Sequence, residues 1–578
     1  MPPTKTKLSS LFLIIFLCFA NSQAVSQSED WFEENLRKVD PLEDQWPSEK
    51  LHEQAKKQLK KLVNWGCHKD NFPSAIFSDN FHGSPIRASD FSDISQNKKI
   101  QILEGKKVEE LELRDLTLWR KQQPWTDNAE KEFFKITSIE LNEGKDFKTS
   151  VIAHIPYSEK EINFQINIEF DLTWSLPTSK ELYPLLINFS LLSYQIVSAK
   201  KDFFKDVSYD IFKNVKRYKQ ELLNGVDKYI NRHDRIIGNS LIGSNGIAIG
   251  DVNGDGRDDI YLAQQGGMPN KLFLHQDDGT VKDISNLSGT NFLDNTRGVL
   301  FCDFDNDNDQ DLAITIGSSI LIAYNNGSGI FNTYKALRMP NSADIYSLAA
   351  GDADNDGDLD IYACRYVLGG IMGGVPSPYH DANNGATNLF WRNEGDGEWK
   401  ECAAEVGLDD NNRKFSMAAA WYDFEQDGDL DLYVANDFGR NNLYVNDGNG
   451  HFKDYAPALK ADDLGAGMGI DIQDYDCDGD NDLLITNMFS AAGSRVASQN
   501  KRFMHGKAKD VHGEYLRHAR GNTLLQKTGN SFQDKTELTK MAVGGWGWGA
   551  SFFDFDNDGY SDIYSPNGFI TSADEKDL

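Results

Sequence analysis

Positive charge is scarce in this 578-residue chain: 59 Lys and Arg stand against 89 Asp and Glu, a formal net charge of −30. A nucleic-acid partner needs a sustained basic face to neutralise phosphates, so the balance argues against that class. Cysteine is sparse as well. Of six, Cys18 lies in an apolar leader, and Cys67, Cys302, Cys364, Cys402 and Cys477 are odd in number and widely spaced. That is not the framework of a small stapled secreted domain; one bridge is compatible with it, its pairing open. Long apolar runs are absent after the leader, so no transmembrane helix is expected. Also missing are a G-x-S-x-G elbow, an H-E-x-x-H pair and a Walker loop, and an enzyme is therefore not expected. Prolines number 16 against 48 glycines, which points to many tight turns and a β-rich chain.

What is present begins with a leader. Lys5 and Lys7 precede an apolar run over residues 8–20, and Ser22, Gln23 and Ala24 offer a cleavage site. Residues 1–24 read as a signal peptide, so the protein is expected to be secreted, periplasmic or at the cell surface. Leu17 precedes Cys18 where a lipid-attachment site wants a small residue.

Residues 28–66 carry apolar positions on one helical face, residues 147–155, 162–176 and 185–198 read as antiparallel strands, and a long helix is expected over 207–232. Together these make 28–235 a smaller α+β domain of unknown role, loosely similar to the cone-shaped nuclear-transport-factor-like fold. Its histidines, such as His82 and His154, read as incidental.

From about residue 239 the chain repeats itself. Six segments share one template, DVNGDGRDDI, DFDNDNDQDL, DADNDGDLDI, DFEQDGDLDL, DYDCDGDNDL and DFDNDGYSDI. Positions 1, 3, 5 and 9 bear oxygen throughout: Asp251, Asn253, Asp255 and Asp259; Asp303, Asp305, Asp307 and Asp311; Asp352, Asp354, Asp356 and Asp360; Asp423, Glu425, Asp427 and Asp431; Asp474, Asp476, Asp478 and Asp482; Asp554, Asp556, Asp558 and Asp562. Alternate side chains of a loop curling round an ion point inward, and glycine at position 6, replaced by Asn308 in the second copy, permits the left-handed turn. Oxygen ligands in that number select Ca²⁺ over Zn²⁺. Up to six calcium ions are expected. No EF-hand is formed, because position 12 lacks its glutamate, and Asp at position 9 is expected to close each site.

Strand-like flanks surround each loop, and most are followed by a hairpin phrase such as NNLYVNDGNGHFKD. Loop, flanks and hairpin make four strands in about 50 residues, the size of a propeller blade. Aromatics at loop position 2, Phe304, Phe424, Tyr475 and Phe555, are expected to wedge between blades.

These residues resemble the FG-GAP or VCBS repeats of integrin alpha-chain propellers and, more closely, cartilage acidic protein-like (ASPIC/UnbV-associated) proteins. Phrases such as SPYHDANNGATNLF and EYLRHARGNTLL extend the second likeness. The resemblance implies an all-β propeller over 239–578, seven-bladed, with calcium loops on one rim, in extracellular proteins linked to adhesion or recognition. The chain stops at Leu578, 16 residues beyond Asp562, with no hairpin after the sixth loop, so either the N-terminal half supplies a closing strand or, as expected here, the final blade is truncated.

The expected function is a secreted or cell-surface calcium-binding recognition or adhesion module for an extracellular protein or glycan. The alternatives are a calcium-dependent polysaccharide lyase and a structural matrix component. Two insertions are candidate ligand loops, the alternative being solvated loops whose bases pair with neighbouring Asp residues. Residues 365–388 hold Gly369, Gly370, Gly373, Gly374, Tyr379, His380 and Asp381; residues 488–522 hold Arg495, Lys501, Arg502, His505, Lys507, Lys509, His512, Arg517, His518 and Arg520. The glycines beside Trp546 and Trp548 suit either a sugar-stacking face or a strand near the axis.

Overall fold

A computed structural model describes residues 47–223 and 246–568, apart from 107–128, 367–375, 500–510 and several gaps of one to three residues. The leader lies outside the described residues. The chain divides into two compact units, 1–205 with 490–516, and 206–489 with 517–578.

In the first unit, helix α1 (Pro47–Cys67) buries Leu51, Ala55, Leu59, Leu62 and Trp65, the one-face spacing seen in the sequence. Seven strands form one sheet: β1 (Phe77–Gly83), β2 (Phe91–Asp93), β3 (Ile100–Gly105), β4 (Phe133–Asn142), β5 (Asp146–Glu159), β6 (Ile162–Ser175) and β7 (Leu186–Ala199). Their order is β2-β3-β7-β6-β5-β4, with β1 parallel to the start of β7. Strand β5 alternates buried and half-buried residues over twelve positions, the signature of a strand with one face in the core. Phe147, Leu172 and Trp174 fill that core, and the Trp174 indole N–H is satisfied by Thr149 Oγ1 at 2.9 Å. Four strands beyond the three read from sequence, β1 to β4, complete the sheet.

Residues 490–516 leave the repeat region and join this first unit. Ser490 caps the helix Ala491–Ser498 by accepting from Gly493 N at 3.0 Å. Arg495 on that helix is 7% exposed; its Nη2 meets Glu49 Oε2 of α1 at 3.0 Å and its Nη1 donates to Ile136 O at 3.0 Å. Arg495 is therefore an internal tie of the first unit rather than a ligand-facing cation. His52 beside it has its pKa pushed down to about 3, first by burial and then by Arg495.

The second unit opens with two short helices, Ser208–Phe212 and Tyr218–Glu221, in place of the single helix expected over 207–232. Arg217 between them takes φ 69°, a left-handed residue that an α-helix cannot accommodate. Phe212 instead packs on Tyr218 and Phe273, and Glu221 pairs with Lys271 at 3.1 Å. Residues 224–232 lie outside the described set.

Five four-stranded antiparallel meanders follow, spanning 247–283, 299–338, 345–401, 416–454 and 467–534, then a two-stranded sheet over 551–564. The first strands of successive sheets are neighbours, so they form the inner layer of a blade-by-blade array. Each core is shared between adjacent blades: Tyr261 with Leu312 and Ile314, Phe304 with Ile361 and Trp391, Phe424 with Leu483 and Phe532. One blade alone leaves both faces of its sheet wet, which is why the repeats come as an array. Buried asparagines staple neighbours together. Asn325, Asn393 and Asn446 donate through Nδ2 to the carbonyls of Val252, Phe304 and Ala353, the position 2 residues of the preceding loops, at 2.8 to 3.0 Å. This is the all-β, propeller-like architecture expected from the repeats. Cys67, Cys302, Cys364, Cys402 and Cys477 are all free thiols, so the one bridge compatible with their number is not formed. No helix among the described residues is long and apolar enough to cross a membrane.

Candidate metal centres

Each Asp-rich loop joins the first and second strands of its blade, so the strand ladder fixes both of its ends. In loop 3, for example, Gly351 pairs with Asp360 across the mouth of the turn. The position 1 carboxylate organises the loop from within. In all six copies its two oxygens accept the N–H groups of positions 5 and 6 at 2.7 to 3.2 Å. Position 6 is glycine in five copies, with φ 81° to 99°, and Asn308 takes φ 71° in the other; a β-branched residue there would be strained.

Position 9 has a second duty that sequence spacing does not show. Asp259, Asp311, Asp360, Asp431 and Asp482 are buried, and one oxygen of each accepts the position 2 N–H. The other accepts an N–H from the third strand, at 2.7 to 2.9 Å, from His275, Asn325, Asn393, Asn446 and Lys527. Asp at position 9 thus bolts the loop to its own hairpin as well as facing the cage.

Four loops bring three carboxylates within 4.8 Å of one another: Asp303, Asp305 and Asp311; Asp352, Asp354 and Asp356; Asp474, Asp476 and Asp482; Asp554, Asp556 and Asp558. The position 3 oxygens supply the most telling detail. Asp354 Oδ1, Asp476 Oδ1 and both carboxylate oxygens of Asp556 are buried without a hydrogen-bond partner. An unpaired buried carboxylate oxygen costs several kcal/mol in rough terms unless a cation meets it. The donor set of hard oxygens fits Ca²⁺, which positions 1, 3, 5 and 9 of these loops would hold.

Loops 1 and 4 differ. In loop 1 the position 3 residue is Asn253, and Arg257 Nη2 sits 2.5 Å from Asp255 Oδ2. A guanidinium there takes up the charge of the position 5 carboxylate. In loop 4 the longer Glu425 replaces aspartate at position 3.

Charge crowding leaves its mark on the titration of the cage. Asp311, Asp360, Asp431 and Asp482 each have a pKa pushed up to about 7, chiefly by burial, with the carboxylates of positions 3 and 5 adding to it. An unfolded aspartate titrates near 3.9, so between about pH 4 and 7 the cation-free folded protein binds more protons than the unfolded chain. Its stability therefore falls as pH rises through that window and is lowest above pH 7. Carboxylates held low, such as Asp381 and Asp534, act in the opposite sense, and only near and below about pH 4. Melting temperature in chelator is expected to drop from pH 5 to pH 8, and millimolar Ca²⁺ to flatten the profile. A chelated protein that gains stability over that range contradicts the crowding.

Several described residues of the two insertions are tied into the fold. Asp381 is held by Lys414 at 2.9 Å and by Arg440, Arg517 pairs with the buried Asp463 at 3.0 Å, and Arg520 pairs with Asp534 at 2.7 Å. His512 bonds Ala497 O, and His518 is buried with Nδ1 on Gly465 O at 3.1 Å. Tyr379, 44% exposed, rests edge-on against Phe438 and His518. Gly369, Gly370, Gly373, Gly374, Lys501, Arg502, His505, Lys507 and Lys509 lie outside the described residues. At loop position 2, Phe304 and Phe424 are buried, while Tyr475 stacks on Phe552.

Residues 251–314, 303–363 and 423–485 match the FG-GAP-like repeat. Cartilage acidic protein 1 of Mus musculus is 24% identical over 353 residues, 56% of this chain and 48% of the relative. The Xenopus tropicalis protein of the same name is 29% identical over 129 residues, 22% of this chain and 20% of the relative. The chain thus spans about half the length of the mouse relative, and less of the frog one. A solved Agrocybe aegerita protein, described as recognising non-reducing terminal N-acetylglucosamine, overlaps 56% of this chain and 75% of its own at 16% identity, with a TM-score of 0.34. Overlap that loose has no bearing on the fold.

Proposed function

We propose, from a chain that carries FG-GAP-like repeats and is homologous to cartilage acidic protein 1, that this is an extracellular calcium-binding propeller serving recognition or adhesion. The observation that carries the calcium part is the set of buried, unpartnered position 3 oxygens of Asp354, Asp476 and Asp556 inside loops whose other carboxylates converge on them. The ion's part is electrostatic: it neutralises the converging carboxylates. The protein's part is positional. Position 1 shapes the turn, position 9 bolts it to the hairpin, and the buried asparagines tie that hairpin to the blade before it. Calcium thus stiffens one edge of every blade that binds it, and a stiff array presents loops for recognition without the entropy cost of ordering them on binding. A seven-bladed ring, a leader that directs the chain out of the cell and a protein or glycan partner belong to the same proposal.

The lyase alternative needs a basic residue free to abstract a proton beside a uronic carboxylate. Arg495, Arg517 and Arg520 are each committed to a carboxylate of the fold, which weighs against it. Binding to arrays of glycans and extracellular-matrix proteins, in calcium and in chelator, tests the reading. Calcium-dependent capture without cleavage is the expected result. Release of unsaturated uronic products, read as absorbance near 235 nm, favours the enzyme instead.

A further inference from the structure

Loop position 4 lies between ligand positions 3 and 5, yet its side chain serves the next loop. Asn306, Asn355 and Gln426 occupy it in loops 2, 3 and 4, with φ of 60°, 56° and 58°. Asn306 Nδ2 donates to Gly357 O at 3.2 Å and Asp358 Oδ1 at 2.7 Å. Asn355 Nδ2 donates to Asp429 Oδ1 at 2.8 Å. Gln426 Nε2 donates to Gly479 O at 3.1 Å and Asp480 Oδ1 at 3.2 Å. The carboxylate of position 7 of the following loop is an acceptor in all three, and the position 6 carbonyl is a second acceptor for Asn306 and Gln426. Position 7 in turn donates its own N–H to the position 5 carboxylate, from Asp358, Asp429 and Asp480 to Asp356, Asp427 and Asp478, at 2.9 to 3.3 Å.

Three successive links of one geometry join the cage of each loop to the cage of the next. The string has two ends. Loop 1 carries Gly254 at position 4 and has no side chain to send forward; loop 5 carries Cys477, and the receiving position 7 of loop 6 is Tyr560 rather than aspartate.

We infer that loops 2 to 5 take up calcium as one coupled array, filling of one loop raising the affinity of the next through the position 4 amide. This rests on the calcium reading given above. Without the ion, crowded carboxylates at positions 3 and 5 repel, which works against the hydrogen bonds that position 1 makes to the turn. An ion fixes that turn, and with it the amide of position 4. The fixed amide holds the position 6–7 peptide of the following loop in the conformation its own ion requires, so the second ion meets a lower ordering cost. Linkage makes the effect reciprocal. Each link is a surface contact of one or two hydrogen bonds, and its effect on neighbouring affinity is roughly two- to tenfold.

The test is a calorimetric Ca²⁺ titration of the full chain, wild type against Asn306→Ala/Asn355→Ala/Gln426→Ala, with Asn557→Ala as the control. Asn557 holds position 4 of loop 6 at φ 58°, and among the described residues its side chain makes no hydrogen bond to another loop. Melting in saturating calcium checks that each variant folds, and Asn306→Ala alone replaces the triple variant if that one does not. The expected result is a wild-type curve steeper than independent sites allow, an unchanged control, and a variant that binds the same number of ions with a shallower curve and a several-fold higher half-saturation. A variant as steep and as tight as wild type overturns the coupling and leaves calcium binding intact. Absence of calcium uptake by every form overturns both.

Discussion

Chelation is expected to lower the melting temperature of the repeat unit by on the order of 10 °C, with Mg²⁺ unable to restore it. Extracellular calcium modules bind with dissociation constants of about 10⁻⁴ M, so low-millimolar Ca²⁺ adds roughly 1–2 kcal/mol per filled loop. Four loops with converging carboxylates then contribute about 4–8 kcal/mol, at about 2 °C or a little less per kcal/mol in a unit this large. The loss falls on the packing between blades, because position 9 carboxylates connect five loops to their hairpins and three buried asparagines connect hairpins to the neighbouring blade. Asp352→Ala removes the carboxylate that receives the N–H groups of Asp356 and Gly357, and is expected to reduce bound calcium by one ion and to give about a quarter of the full shift. Scanning calorimetry at fixed free calcium reads both. A melt indifferent to calcium would mean that the Asp clusters hold no structural ion.

Arg495→Ala is expected to destabilise the first unit by about 3–5 kcal/mol, the typical loss when one partner of a buried ion pair is removed. Glu49, half-buried, is left without its guanidinium, and the interior Ile136 O is left without its donor. Burial, the chief cause of the lowered His52 pKa, remains in the variant and opposes a replacement charge there. Urea unfolding followed through Trp65 and Trp174, both buried in that unit, measures the change. A loss under about 1 kcal/mol would place Arg495 among exposed pairs. The variant also tests whether the segment 490–516 belongs energetically to the first unit rather than to the repeats that flank it in sequence.

The loops were legible because their logic is local: a turn of ten residues states its ligand positions in its own letters. The hairpins were equally plain, since NNLYVNDGNGHFKD alternates and turns over Gly448 and Gly450, at φ 78° and 72°. Strand β4 is hidden in the sequence because FFKITSIELN loses its alternation at the register shift between Ile136 and Ser138. The break at Arg217 left no sign, as arginine is an ordinary helix former and only tertiary packing of Phe212 on Phe273 demands the kink. The place of Arg495 is undecided by sequence for a related reason. A basic residue in an acidic chain looks available until its partner, Glu49, 446 positions away, is known. The partner of position 4 lies one blade on, and no local pattern states that. The double use of position 9 by ion and backbone is likewise visible only once the third strand is in place.

The most direct measurement is a count of calcium. The full chain is stripped with chelator, dialysed to equilibrium against low-millimolar Ca²⁺ in excess Mg²⁺, and analysed for both elements per mole of protein. The account predicts at least four Ca²⁺ per chain, with Asp303, Asp352, Asp474 and Asp554 each responsible for one when changed singly to alanine. A chain that retains no calcium, or exchanges it freely for magnesium, contradicts it.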